Sequence, residues 1–499
     1  MIDLYHAFNS KVTATPNQTA IIDKKYLQAL SYTTLDHYVH SVEQQLETLN
    51  LEYGDKVLVL EPMGYKLYSI LISCFKMGLC AVFVDPSQNA HFINQACDIA
   101  KPKAFIASPK AMLLMLKATK LFSIPIKLTT QKIPFFKALY FKEVSVLTTT
   151  EILASNTPAL MTFTSGSTGR PKAIVRTHQF LLNQYRVLHP HIHLKDGSIE
   201  LSTLPIFVLA NLFSGVCSVI ADTSLHHPKK IDITIIEETI AQNGVTRIAA
   251  SPALFEHFTK AHHFKNVTAI YLGGAPVLPT LLFRLRTVFP NATINTLYGS
   301  SEAEPISTFE LPQLNEDIYQ KMLQGKGLFV GDVVKEIAIK IINDEIVVHG
   351  NHVVQSYHDK EDNKENKIKI EGEIWHKTGD AGYFDENNKL WLLGRISAKI
   401  SYKSEHGSDE PLYPFSIEVA TREITKKMSV LTLYQEVPTL FIEAKEHEHE
   451  ALTTLLKKTI MILFPILSVR FISSIPLDKR HNAKVDYPEL KKVLQNSMN

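Results

Sequence analysis

Cysteine is scarce. The chain has four in 499 residues, Cys74, Cys80, Cys97 and Cys217. Their spacing suits neither a disulfide framework nor a metal site. Reduced thiols in a cytoplasmic protein are the expectation. The opening MIDLYHAFNSK lacks an apolar signal core, which argues against secretion. Excess charge is also missing. A formal net charge of +2 gives the whole chain no long-range field toward nucleic acid or an anionic membrane. Long hydrophobic runs are missing but for Leu204–Ala221. That run is interrupted by Pro205, Asn211, Ser214, Gly215 and Ser218, so it reads as a buried helix beside an apolar pocket, not a transmembrane span. The histidines at 189, 191 and 193, at 262 and 263, and at 447 and 449 lack the spacing of a zinc site. No internal repeat is visible.

What is present is a long, ordinary globular composition, 45% hydrophobic and 20% charged, too long for a single core. Residues 36–50 read as an amphipathic helix ending near Gly54. KVLVLEP (56–62) and CAVFVDP (80–86) read as strands with a helical stretch between them. Residues 231–295 continue the alternation: IIEETIAQNG is helical, VTRIAAS and TAIYLGGAP are strands, and LPTLLFRLRTVFP is helical. This pattern predicts an α/β architecture with parallel-rich sheets. The mixed charge run HDKEDNKENK (358–367) reads as a solvated loop without function. IPFFKALYFK (133–142) reads as a connector packed on the large domain, in preference to an amphipathic segment on a membrane. Composition shifts after Gly394–Arg395. We therefore expect a large domain, 1–395, and a small α+β domain, 396–499.

The sharpest local feature is Thr162-Phe-Thr-Ser-Gly-Ser-Thr-Gly-Arg-Pro-Lys172. Glycines let backbone N–H groups approach phosphate oxygens, hydroxyls add donors, and Lys172 adds charge. It is not the common P-loop, in which Gly-Lys-Ser/Thr runs straight into a helix, because Pro171 disfavours helix at Arg170. TFTSGSTGRPKAIVRTH closely resembles the phosphate loop of the adenylate-forming superfamily, which includes acyl-CoA synthetases, luciferases and peptide-synthetase adenylation domains. Other markers of that superfamily follow in order. Gly273-Gly274-Ala275-Pro276 is similar to the turn that packs on adenine. Tyr298-Gly299-Ser300-Ser301-Glu302 resembles Tyr-Gly-x-Thr-Glu. Thr378-Gly-Asp380 and Gly394-Arg395 resemble the segments that hold the ribose hydroxyls, and His481-Asn-Ala-Lys484 stands where the superfamily places a late catalytic lysine.

The resemblance implies activation of a carboxylic acid by ATP and Mg²⁺ as an acyl-adenylate. Thr164, Ser165, Gly166, Ser167, Thr168 and Gly169, with Lys172, would cradle the phosphates. Ser300 and Ser301 would offer hydroxyls to them, Glu302 would hold the metal, and Asp380 and Arg395 would hold the ribose. Lys484 would bridge the acyl carboxylate and the α-phosphate, where charge builds as two anions meet.

Superfamily members differ in the second half-reaction. Thioester-forming members commonly carry Gly-Arg-x-Asp-x-x-Ile-Lys-x-x-Gly at the hinge. Here Ser397, Ser401 and Ser404 stand at the Asp, Lys and Gly positions, although a small gap would realign Lys403 and Gly407. Val208 stands where many members have a histidine at the acyl pocket. With WHKTGDAGYFDENNKLWLLGR (375–395), the Leu412-Tyr413 pair and RHNAK (480–484), these departures look most like olefin β-lactone synthetases. There the β-hydroxyl of a long-chain 2-alkyl-3-hydroxy acid closes on the activated carbonyl. The alternatives are an acyl-CoA or acyl-carrier ligase and, less favoured, a non-catalytic nucleotide-binding relative. The expected partners are a small carboxylic acid and enzymes that supply a 3-hydroxy acid, with no nucleic acid.

Overall fold

The computed structural model describes residues 3–144, 151–165, 170–222, 231–259, 263–403, 409–477 and 485–496. Two large sheets dominate. The first, of seven strands, centres on Lys56–Leu60. It is parallel except at one edge, where Pro158–Ser165 turns back antiparallel into Pro171–Thr177. The second sheet has 14 strands. Its parallel part runs through Thr19–Asp23, Cys217–Ile220, Ile199–Ser202, Arg247–Ala250, Ala269–Leu272 and Thr293–Ser300. From there it continues antiparallel through Ala303–Glu310 and Leu328–Val333 to Leu390–Arg395 and Glu373–Phe384. The parallel strands read as short continuous apolar runs because helices cover both faces. Arg247–Ala250 and Ala269–Leu272 are buried at every position.

The sequence reading of α/β alternation holds, with shifted ends. The helix expected at 36–50 is Tyr32–Glu47, started by Ser31, whose hydroxyl accepts from Thr34 N. The run 204–221 divides into a buried helix, Pro205–Ser214, and a strand, Cys217–Ile220, with Gly215 in the left-handed region between them. Among the described residues no helix is long and apolar enough to cross a membrane. All four cysteines are free and buried.

One reading needs correction. The charge run at 358–367 is not a free loop: Lys360–Asn366 is a helix, capped by Asp359, which accepts from Glu361 N. It is docked by ion pairs described below.

Past Ile396 the chain forms a two-stranded ribbon, Ile400–Lys403 with Asp409–Leu412, and a three-stranded sheet with its own apolar core around Ile417, Leu431 and Leu440. Helix Pro414–Thr425 ties this part to the rest. Its Glu423, almost fully buried, accepts from Thr280 N and Oγ1 (3.2 and 2.7 Å) and from Tyr319 Oη (3.3 Å). Gly394 has φ +120°, and a Cβ there would stand 2.6 Å from Phe415 Cβ, so the turn into this part is packed to the backbone.

Candidate active site

The hairpin that the sequence reading expects to hold phosphate lies at the edge of the seven-stranded sheet. Thr164 and Lys172 are cross-strand partners, and Ser165 pairs with Pro171. Gly166, Ser167, Thr168 and Gly169, which join the two strands, lie outside the described residues, as does Lys484. Lys172 Nζ is bound to Glu365 Oε2 at 2.9 Å. The lysine side chain is 8% exposed and its partner 59%, so the pair joins a fixed cation to a carboxylate free to turn to solvent. Beside it Arg170 bonds Asp359 (3.1 Å) and Asp362 (2.8 Å). The helix expected to be a functionless loop therefore sits against the phosphate hairpin through three carboxylates.

The Tyr298–Glu302 segment caps the last parallel strand of the other sheet. Ligands in open α/β folds gather at the carboxyl ends of such strands. Gly299 sits tightly in the hairpin, where a Cβ would stand 2.8 Å from Ala303 O. The Gly273–Pro276 turn ends the neighbouring strand, with Gly274 at φ +81°. A Cβ on Gly273 would touch Leu297 O at 3.4 Å, which sets the turn beside Tyr298.

The residues that the sequence reading expects at the ribose are brought together directly. Tyr298 Oη donates to Asp380 Oδ2 at 2.8 Å, and Arg395 Nη1 reaches Asp380 Oδ1 at 3.2 Å and Thr378 O at 3.0 Å. Asp380 and Arg395 are register partners on adjacent strands. Burial, and then the Asp380 charge, push the Tyr298 hydroxyl well above the usual tyrosine range, so it stays a donor. Thr378 Oγ1 accepts from Asp380 N (3.1 Å), and Glu345 accepts from Gly379 N (3.0 Å). A cleft of about 290 Å³, lined by Glu345, Lys367, Lys377 and Ile396 among others, opens alongside.

The two sheets meet through residues that motif reading missed. Arg176, buried on the phosphate hairpin, donates to Thr162 Oγ1 (2.9 Å) and to Ser301 O (2.6 Å). It bridges the hairpin and the glutamate segment. Burial pulls its pKa down, opposed by Glu302 and Glu304. Glu304 is raised to about 6 by burial, with Arg176 opposing. Tyr357 donates to Glu302 Oε1 at 3.0 Å, and Val354 N donates to Glu302 O at 2.8 Å. The same segment bridges to Ile174 through Tyr357, and His358 N donates to Ala173 O. Lys367 donates to Val354 O, and burial lowers it to about 8, with Glu302 pulling the other way. Its strand partner His376 is lowered to about 4 by burial and then by Lys367. Arg176 and His376 lie within the strings that carry the superfamily resemblance and Glu304, Tyr357 and Lys367 outside them, but in neither case does the string assign the role; the register of the strands does.

Glu302 is partly buried and oriented by Tyr357, with backbone Ser300–Ser301 beside it. One carboxylate completed by phosphate oxygens fits a hard cation such as Mg²⁺.

The strand pair carrying Lys172 is thus joined through Arg176 and Ser301 to the segment whose Tyr298 bonds Asp380. Comparison with known proteins assigns the class: residues 8–358 match the model of the AMP-binding enzyme family, and the chain belongs to that family. It is an AMP-forming ligase that activates a carboxylic acid. Among curated proteins it is 27% identical to an olefin β-lactone synthetase of Stenotrophomonas maltophilia (strain K279a), over 93% of this chain and 91% of the relative. It is 21% identical to 4-coumarate–CoA ligase 5 of Oryza sativa subsp. japonica, over 78% and 75%. Among solved structures its fold is similar to that of the anthranilate CoA ligase AuaEII in complex with anthranoyl-AMP, with TM-score 0.82, 13% identity, and 99% and 98% of the two chains covered.

Proposed function

We propose that this ligase uses ATP and Mg²⁺ to convert a long-chain 3-hydroxy carboxylic acid into its acyl-AMP and then closes that intermediate to a β-lactone. Residues 1–395 hold the nucleotide and the acyl group, and residues 396–499 form a lid that carries Lys484. Lys172 and the hairpin backbone grip the phosphates, while Asp380, Arg395 and Tyr298 hold the ribose side. Glu302 would hold Mg²⁺, which when bound neutralises phosphate charge. Lys484 would neutralise the charge that builds as the carboxylate attacks the α-phosphate and pyrophosphate leaves. In the second step the substrate's own β-oxygen bonds to the acyl carbon, the bond to AMP breaks, and the hydroxyl proton is lost. Enclosure supplies the orientation that a strained ring requires, and exclusion of water protects both adenylate and lactone.

The observation that carries this reading is Ser401. It is exposed on strand Ile400–Lys403, just past the hinge, where thioester-forming relatives build a thiol channel with lysine. The similarity to olefin β-lactone synthetases supports it. Ser404 and Gly407, the other positions in that comparison, lie outside the described residues. The second reading, an acyl-CoA or acyl-carrier ligase of cytoplasmic fatty acid metabolism, is favoured by similarity to the coumarate ligases.

The test is mass spectrometry of products from a long-chain 2-alkyl-3-hydroxy acid with ATP and Mg²⁺, with and without CoA. The expected products are AMP, pyrophosphate and a lactone one water lighter than the acid, unaffected by CoA. A dominant acyl-CoA product would replace the lactone reading with the ligase one.

A further inference from the structure

The even charge balance of the whole chain conceals one strongly biased stretch. Between Pro109 and Lys142 there are seven lysines and no aspartate or glutamate. The structure folds this stretch over one edge of the seven-stranded sheet, as a helix Pro109–Met112, two 3₁₀ turns, Leu113–Leu116 and Thr119–Ser123, and the edge strands Ile126–Thr129 and Lys137–Ala138. Six of the lysines, at 110, 117, 120, 132, 137 and 142, are exposed. Lys120 pairs with the exposed Asp98 of a neighbouring helix.

Large apolar side chains stand among these lysines. Phe135 is fully exposed, Leu116 is 75% exposed, Leu113 62% and Phe122 54%. They are not leftovers of the core. Met112, Met115, Leu121 and Ile124 face inward from the same turns and are buried, and Ile133 and Phe136 pack against the same cluster. The connector is thus packed through one set of side chains and presents another. Leu113 and Leu116 lie three apart in a 3₁₀ turn, so they project from the same edge. Exposed apolar groups set in a polar rim mark an interaction surface.

We propose that this edge docks the protein on an anionic lipid bilayer, with Leu113, Leu116, Phe122 and Phe135 entering the headgroup–acyl boundary and the lysines facing the lipid charge. Charge complementarity selects an anionic partner, and the apolar side chains select a bilayer over a nucleic acid, which offers them nothing to enter. The inference does not depend on which acid the enzyme activates.

The experiment is flotation of the full chain with vesicles of equal parts phosphatidylglycerol and phosphatidylcholine, against phosphatidylcholine alone. Binding is expected to the first only and to weaken with salt. Each lysine near an anionic surface contributes roughly a fivefold factor. Lys117→Gln/Lys132→Gln/Lys137→Gln should therefore lose on the order of 100-fold in partitioning at unchanged thermal midpoint. Leu116→Ser/Phe135→Ser should lose the part of the binding that survives salt. No flotation of the wild type, or flotation of both variants equal to that of the wild type, overturns the proposal. So does duplex DNA that binds the wild type as tightly as the vesicles do, with Leu116→Ser/Phe135→Ser indifferent. If the triple variant is unstable, an environment-sensitive probe on Phe135→Cys decides, since all four native cysteines are buried. A blue shift with anionic vesicles supports entry of that position into the bilayer, and no shift overturns it.

Discussion

Replacing Arg176 with methionine removes a guanidinium that joins two sheets, and the structure sets the size of the effect. Two hydrogen bonds disappear, to Thr162 Oγ1 and Ser301 O. Hydrogen bonds from charged groups contribute about 1.5–3 kcal/mol each, and stripping one partner from a buried charged cluster costs about 3–5 kcal/mol. Relief comes from Glu304, already raised to about 6, which rises further without its cation and takes up a proton. We expect Arg176→Met to lose about 3 kcal/mol of stability at pH 7.5, by urea unfolding. A carboxyl whose folded pKa lies above its unfolded value stabilises when protonated, and that contribution fades as pH rises through the folded pKa. The defect should therefore shrink as pH falls toward 5. Arg176→Lys keeps the charge and should show little of this pH dependence. Acid-dependent exchange of pyrophosphate into ATP should fall at least tenfold in the methionine variant, since a 1 Å misplacement of reacting groups costs on the order of 100-fold. A variant within about 1 kcal/mol of wild type and within twofold in exchange would refute the bridging role.

Lys484→Ala should lose on the order of 100-fold or more in adenylation rate while ATP affinity changes far less; equal losses would make Lys484 a ground-state ligand. Glu365→Gln frees Lys172 from its exposed partner and should tighten ATP binding by up to about fivefold, read by calorimetry; weaker binding would mean that Glu365 positions the lysine instead of competing for it. His178 and His376 are both held near 4 by burial. Bases depressed in the fold stabilise it above their unfolded pKa of about 6.5, and that stability drains as pH falls toward 4. Unfolding free energy should drop steeply between those limits, and a flat profile would place water at both rings.

The parallel core was legible because buried parallel strands are short continuous apolar runs. Arg247–Ala250 and Ala269–Leu272 could be read off their composition. The family was legible because its motifs are fixed local strings. What escaped is what strand register creates. Arg176 and Ser301 are 125 positions apart, and nothing in either neighbourhood announces the other. The run at 358–367 escaped for another reason. It has no apolar periodicity, so a pattern reading returns a loop, yet Asn363 bonds the backbone of Tyr357 and Asp362 bonds Arg170. Its helix is held by polar partners elsewhere in the fold. The helix start at Ser31 was missed through its cap, a local signal that was there to be read.

These partners also order the site by which charges can be exchanged. On the proposed reading ATP is a polyanion whose phosphates approach the hairpin's cations, which already hold carboxylates. Asp362, 3% exposed, is locked on Arg170, and Glu304 faces the buried Arg176. Parting either carboxylate from its arginine would leave it buried and uncompensated. Glu365 is different: at 59% exposed it can swing into water at little cost and leave Lys172 on a rigid strand, already desolvated and aimed. The pairs with a buried carboxylate therefore hold the hairpin's shape, and on the proposed reading the pair with the exposed Glu365 is the one a nucleotide would displace. If the hairpin grips phosphate as proposed, this division lets an acidic helix lie against it without abolishing its use, and it makes Glu365, not Asp362, the residue whose neutralisation should strengthen ATP binding.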